Sequence, residues 1–107
     1  MTNLNEQGIK AAKRYLDLKG YEVEGIHEGY VVAWDMNCLV FAAVETSMEM
    51  PPMQECSLKE RERFERAIAS YVKECGRTDF AVRLDKCELE VVGCSNALLR
   101  HTVNYCG

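Results

Sequence analysis

No apolar run in these 107 residues approaches the roughly 20 that a bilayer-spanning helix needs. The polar start Met1-Thr-Asn-Leu-Asn-Glu-Gln also lacks the basic and apolar regions of a secretion signal, so the expected location is the cytoplasm and no membrane partner is expected. Basic runs are missing too. Lys and Arg are interleaved with Glu, the formal net charge is −4 and the pI is near 5.2. A polyphosphate is usually met by a basic face, so composition argues against autonomous DNA binding and ranks a protein partner or self-association above nucleic acid. Repeats, low-complexity tracts and linkers are absent, and the only prolines are the adjacent Pro51 and Pro52. With 48% hydrophobic residues, positions 1–107 suit one domain with a modest core.

Cysteine, by contrast, is plentiful. Cys38, Cys56, Cys75, Cys87, Cys94 and Cys106 stand singly, with no C-x-x-C pair among them. That spacing favours small buried hydrophobes over a zinc site assembled from distant positions.

The stretch from Glu28 to Ser47 organises the chain. Gly29-Tyr-Val-Val-Ala-Trp and Cys38-Leu-Val-Phe-Ala-Ala-Val are rich in β-branched and aromatic residues, and Asp35-Met-Asn between them reads as a hairpin turn. With Met36 and Asn37 as the loop, Asp35 faces Cys38, Trp34 faces Leu39, Val32 faces Phe41, Tyr30 faces Ala43 and Glu28 faces Glu45. Tyr over Ala is a size-complementary pair. Two carboxylates across a ladder repel unless both are solvated or a cation sits between them, and the solvated arrangement is the favoured one.

This hairpin resembles that of the YraN-like family of the restriction endonuclease-like, or PD-(D/E)xK, superfamily. Its strands read G-E-I-D-L-I-A-x-D and L-V-F-V-E-V-K-T-R. His27-Glu28-Gly29-Tyr30 falls on G-E-I-D, and Phe41-Ala-Ala-Val-Glu-Thr-Ser on F-V-E-V-K-T-R. The resemblance implies a divalent-metal nuclease ancestry in which Asp and Glu hold the cation and Lys stabilises charge at the scissile phosphate. Those places carry Tyr30, Ala43 and Glu45. The opening Gly8-Ile-Lys-Ala-Ala-Lys-Arg-Tyr-Leu-Asp-Leu-Lys-Gly-Tyr resembles the family's G-E-x-x-A-x-x-Y-L-x-x-x-G-Y, with Ile9 where a further carboxylate projects toward the site.

Around the hairpin, a helix is expected from about residue 5 to 19, stopped by Gly20 and followed by a short strand, Tyr21-Glu-Val-Glu-Gly-Ile. Met48-Glu-Met-Pro-Pro-Met-Gln-Glu-Cys is a loop, its methionines expected to tuck onto the core rather than to form a partner surface. In the family this segment flanks the substrate cleft. Ser57-Leu-Lys-Glu is a capping box opening a helix that runs to about Cys75 and stops at Gly76. Its outer charges, Arg61, Arg63 and Arg66 included, read as a solvated face, with contact to a phosphate backbone as the lesser alternative. Thr78 to Asp85 and Glu88 to Val92 are expected as two strands joined near Lys86, with a short helical turn at Asn96 to Leu99. Val82-Arg-Leu-Asp and Leu99-Arg-His-Thr-Val-Asn-Tyr resemble the family's V-R-F-D and H-x-x-N-A-F, which places Arg83, Asp85, His101 and Asn104 in the scaffold.

The expected architecture is α/β: a single domain with a central mixed sheet of about four to five strands flanked by two main helices. The expected function is a nuclease scaffold that has lost metal-dependent cleavage and serves as a binding module, with no catalytic residue and no cofactor. Residual site candidates are Glu28, Glu45, His27 and Arg83; His27 is weighed as a ligand or general base but favoured as a histidine paired with a nearby carboxylate. The alternative is a divergent nuclease using Mg or Mn on Glu28, Asp35 and Glu45, with Lys59 or Arg83 replacing the missing Lys.

Overall fold

A computed structural model of the chain describes residues 4–92 and 96–106. The first helix, α1 (Leu4–Leu18), buries Gly8, Ala12 and Leu16, a stripe at intervals of four. It ends in a Schellman turn. Gly20 takes φ +96°, its amide donates to Asp17 O, and the Tyr21 amide reaches back to Leu16 O.

Strands β1 (Glu22–His27), β2 (Tyr30–Asp35) and β3 (Cys38–Ser47) then form a meander. The Glu28-Gly29 turn has positive φ at both residues, 51° and 84°, the twist that a two-residue hairpin loop requires. The β2–β3 register is the expected one: Val32 pairs with Phe41, Trp34 with Leu39 and Asp35 with Cys38. Helix α2 (Leu58–Cys75) crosses over to β4 (Ala81–Val92), which runs parallel to β3, and β5 (Asn96–Thr102) closes the sheet in the order β1-β2-β3-β4-β5. The α2 capping box is present with both bonds at 3.1 Å, and Gly76 ends the helix at φ +71°.

The period of two sorts the core into two layers. Tyr30, Val32, Leu39, Phe41 and Leu84 pack with Ala67 of α2, while Val31, Ala42 and Cys87 pack with Ala12 and Leu16 of α1. Phe41 is the hub of the α2 layer, edge-on to Tyr30, Phe64 and Tyr71 at 5.8, 5.9 and 5.8 Å.

Three expectations fail. There is no break at Lys86: β4 is one strand of 12 residues, because the buried Lys86 ammonium ion finds carboxylate partners in Glu45 and Glu60 and need not reach water. Asn96 to Leu99 is strand, not helix; pairing along β4 overrides the helix preference of Ala-Leu-Leu. The cysteines are not uniformly buried thiols. Cys56 and Cys106 are joined in a disulfide, Cys75 is exposed, Cys38 half-buried, and among the described residues only Cys87 is a buried free thiol, held well above the usual range at about 12 by burial and then by Asp85. Cys94 lies outside the described residues. Among those residues no helix is long and apolar enough to cross a membrane.

Candidate functional site

The C-terminal half of β3 and the first turn of α2 enclose a cavity of about 220 Å³ lined by Gly29, Tyr30, Ala43, Glu45, Glu60 and Arg63. Tyr30 and Ala43 meet on one face, as the hairpin pattern anticipates. The Tyr30 ring is 3% exposed and lies under the Arg63 guanidinium, 5.3 Å from the ring centre. Burial raises its hydroxyl above the usual value against the opposing pull of Arg63.

The parallel register sets Ala43 beside Lys86 and Glu45 beside Glu88. Residues paired in register share a sheet face, so Lys86 lies in the same layer beneath α2 as Ala43. Its Nζ sits 3.6 Å from Glu45 Oε1, 3.9 Å from Glu60 Oε2 and 3.3 Å from the Tyr105 hydroxyl, with the side chain 8% exposed. Burial works against the ammonium ion, yet Tyr105, Glu45 and Glu60 together raise its pKa above the ordinary lysine value. Glu60 is pulled the other way: burial opposes its charge, but Ser57, Lys86 and Tyr105 hold its carboxyl below the usual range. One strand further on, Arg100 grips buried Glu88 with two bonds of 2.9 and 2.8 Å and donates to Pro51 O at 2.7 Å. The like-charge problem expected for Glu28 and Glu45 thus arises between Glu45 and Glu88, and each carboxylate has its own cation.

Glu28 itself sits in the β1–β2 turn and accepts from Ser70 Oγ at 3.4 Å. It does not share a partner with Glu45. His27 is held against α2, its Nε2 3.2 Å from Ser70 Oγ and its Nδ1 3.7 Å from Glu74. The histidine pairs with a carboxylate as favoured, but one supplied by the helix.

Arg83 lies on the opposite face, beneath α1. It donates to Asp85 at 2.9 Å, Asp35 at 3.0 Å and the Tyr21 hydroxyl at 2.6 Å. Asp85, with no exposed surface, also accepts from the Asn104 amide at 3.0 Å and meets His101 Nε2 at 2.8 Å; His101 Nδ1 meets the Tyr15 hydroxyl at 3.1 Å. This network stitches the C-terminal turn and α1 to β4. Ile9 packs in the same layer, with Val44. Of the constellation of Glu28, Asp35, Glu45 and Arg83, only Asp35 and Arg83 are brought together; Glu28 lies in a turn and Glu45 on the other sheet face. Among the described residues no three His, Cys, Asp or Glu side chains are grouped to hold a metal ion.

Sequence reasoning missed Lys86, Glu60, Glu88, Arg100 and Tyr105 as one cluster. The capping box located Glu60 at the start of α2, but only the β3–β4 register shows that Lys86 faces it. The methionine loop also departs from expectation. Its backbone is strapped down, Met50 N to Glu90 at 2.8 Å and Pro51 O to Arg100, while Met48 and Met53 remain 71% and 63% exposed.

Comparison with known proteins adds no assignment: no protein-family model and no curated protein matches the sequence.

Proposed function

We propose that the chain is a nuclease-type scaffold of the YraN-like kind that no longer cleaves phosphodiesters and acts as a binding module for a protein partner. One observation carries the reading. At the place the resemblance gives to metal and scissile phosphate, Tyr30 is packed against Arg63 and Phe41, and Lys86 is neutralised between Glu45 and Glu60. Oxygen ligands for Mg²⁺ would have to displace that lysine first. The order of helices and strands, with a meander, a crossover helix and a parallel fourth strand, supports the scaffold half of the reading. A cytoplasmic location belongs to the same proposal, and there the Cys56–Cys106 bridge meets reducing thiols.

A second reading rests on the same cluster. Glu45 and Glu60 line one cavity and share the Lys86 ammonium ion between them, the residue types of a metal nuclease drawn from new positions. Incubation of pure protein with supercoiled DNA and with single-stranded RNA, in Mg²⁺ and in Mn²⁺, separates the two. The module reading expects intact substrates and no Mn²⁺ heat by calorimetry. Cleavage that disappears in Glu60→Gln overturns it.

A further inference from the structure

The sheet ends in two unlike edges. On β1 the ladder to β2 is interrupted between Val23 and Gly25, and Glu22 and Glu24 stand exposed along the strand. Irregularity and charge are the usual guards of an edge against pairing. The β5 edge has no such interruption, and its one formal charge, Arg100, is already paired with Glu88. It pairs with β4 without a break from Thr102 to Asn96, contains no proline or acidic residue, and exposes the uncharged Asn96, Ala97 and Leu98. Apolar surface gathers at this side of the sheet: Leu98 is 60% exposed, Val92 43% and Val103 53%. The methionine loop, tied to β4 and β5 through Glu90 and Arg100, adds Met48 and Met53. Such flexible side chains adapt readily to a facing surface.

The strand is also complementary to itself. Turned antiparallel about Leu99, it sets Leu98 against Arg100, Ala97 against His101, Asn96 against Thr102 and Leu99 against its own copy. No like charges meet. Arg100 already holds Glu88, so its aliphatic stem is free to cover Leu98 without a new charge to satisfy.

We propose that the β5 edge binds a second copy of this chain, antiparallel about Leu99, so that two five-stranded sheets join across a two-fold axis. The inference names the partner for the binding-module reading. A single strand with its flanking side chains falls below the standard interface of about 1,600 Å², so the dimer forms with rising concentration rather than being permanent.

The test is light scattering after size exclusion, from low micromolar to near-millimolar protein, on the wild type, Leu98→Lys and Ile26→Lys. Leu98→Lys places an ammonium ion opposite Arg100 at an exposed position that the fold does not use, and Ile26→Lys, 48% exposed on β1, marks the other edge. Wild type and Ile26→Lys are expected to climb toward twice the 12.2 kDa chain mass, and Leu98→Lys to stay at one. In hydrogen exchange, outward amides of residues 96–102 should gain protection with concentration in the wild type and in Ile26→Lys, and not in Leu98→Lys. A wild type that stays at one chain mass throughout, or loss of association in Ile26→Lys but not in Leu98→Lys, overturns the proposal. A dimer that cuts nucleic acid would refute the module reading and leave the dimer standing; a monomer that does not cut refutes the dimer alone.

Discussion

Reduction of the Cys56–Cys106 bridge should destabilise the fold by about 4 kcal/mol. Its two ends are 50 positions apart, so the bond closes nearly half the chain into a loop. Closing a loop of that length removes about 14 cal/mol/K of entropy from the unfolded ensemble, which at room temperature gives the figure above. The native turn does not depend on the bond. The Tyr105 amide donates to Leu84 O at 2.6 Å, Arg61 donates to Cys106 O at 3.0 Å, and the Tyr105 hydroxyl lies 3.2 Å from Glu55 O and from Glu60. The cost therefore falls on the unfolded side, and for a domain of this size it corresponds to about 15–20 °C in melting temperature. The assay is a thermal melt with and without a phosphine reductant, beside a Cys56→Ser/Cys106→Ser double variant. That variant should melt where the reduced wild type does and ignore the reductant, since Cys38, Cys75 and Cys87 are already free. A gap below about 3 °C between oxidised and reduced protein would refute the reasoning.

Two further outcomes are expected. Burial pushes the Asp85 carboxyl up, but hydrogen bonds from His101, Arg83 and the Asn104 amide outweigh it and hold the group below its ordinary value of 3.8. A depressed native value stabilises fully above the unfolded one and is lost as pH falls through the native one, so the urea midpoint should drop below about pH 4. Asp85→Asn should flatten that acid limb and cost about 3 kcal/mol at neutral pH, because Arg83 loses its buried partner; an unchanged limb counts against the network. At the α1–β3 contact, a Cβ on Gly8 would run into the Thr46 side chain, whose buried hydroxyl has no hydrogen-bond partner among the described residues. Gly8→Ala should cost about 1–3 kcal/mol, and adding Thr46→Ala should return most of it in a double-mutant cycle of denaturation midpoints. Additive losses would show that the helix simply shifts.

The hairpin was legible because its information is local. Two apolar strands, a two-residue polar loop and the period of two fix which of Trp34, Val32, Leu39 and Phe41 share a face, and the observed pairs agree. Both helices announce their ends through Gly20, Gly76 and the Ser57 box. What stayed hidden depends on which distant segments become neighbours. Read alone, the sequence breaks at Lys86, because the groups that keep its ammonium ion inside one strand, Glu45, Glu60 and Tyr105, are all distant in sequence. Cys56 and Cys106 could not be paired by spacing, and β5 could not be told from a helical turn without β4 beside it. At Glu28 the local pattern misleads: the alternation of β2 extends back through it as strand, whereas φ +51° makes it half of a two-residue turn.

The parallel seam also sets the order in which the molecule comes together. Every β3–β4 partner, from Cys38 with Ala81 to Ser47 with Glu90, is a constant 43 positions apart, whereas the β2–β3 ribbon closes over two residues. The ribbon can zip within microseconds, but the seam must wait for the whole crossover to be made and swung into place. On the ribosome, the early ribbon emerges with one flank of β3 unsatisfied, a transient docking edge for any neighbouring nascent chain until Ala81 to Glu90 arrives to occupy it.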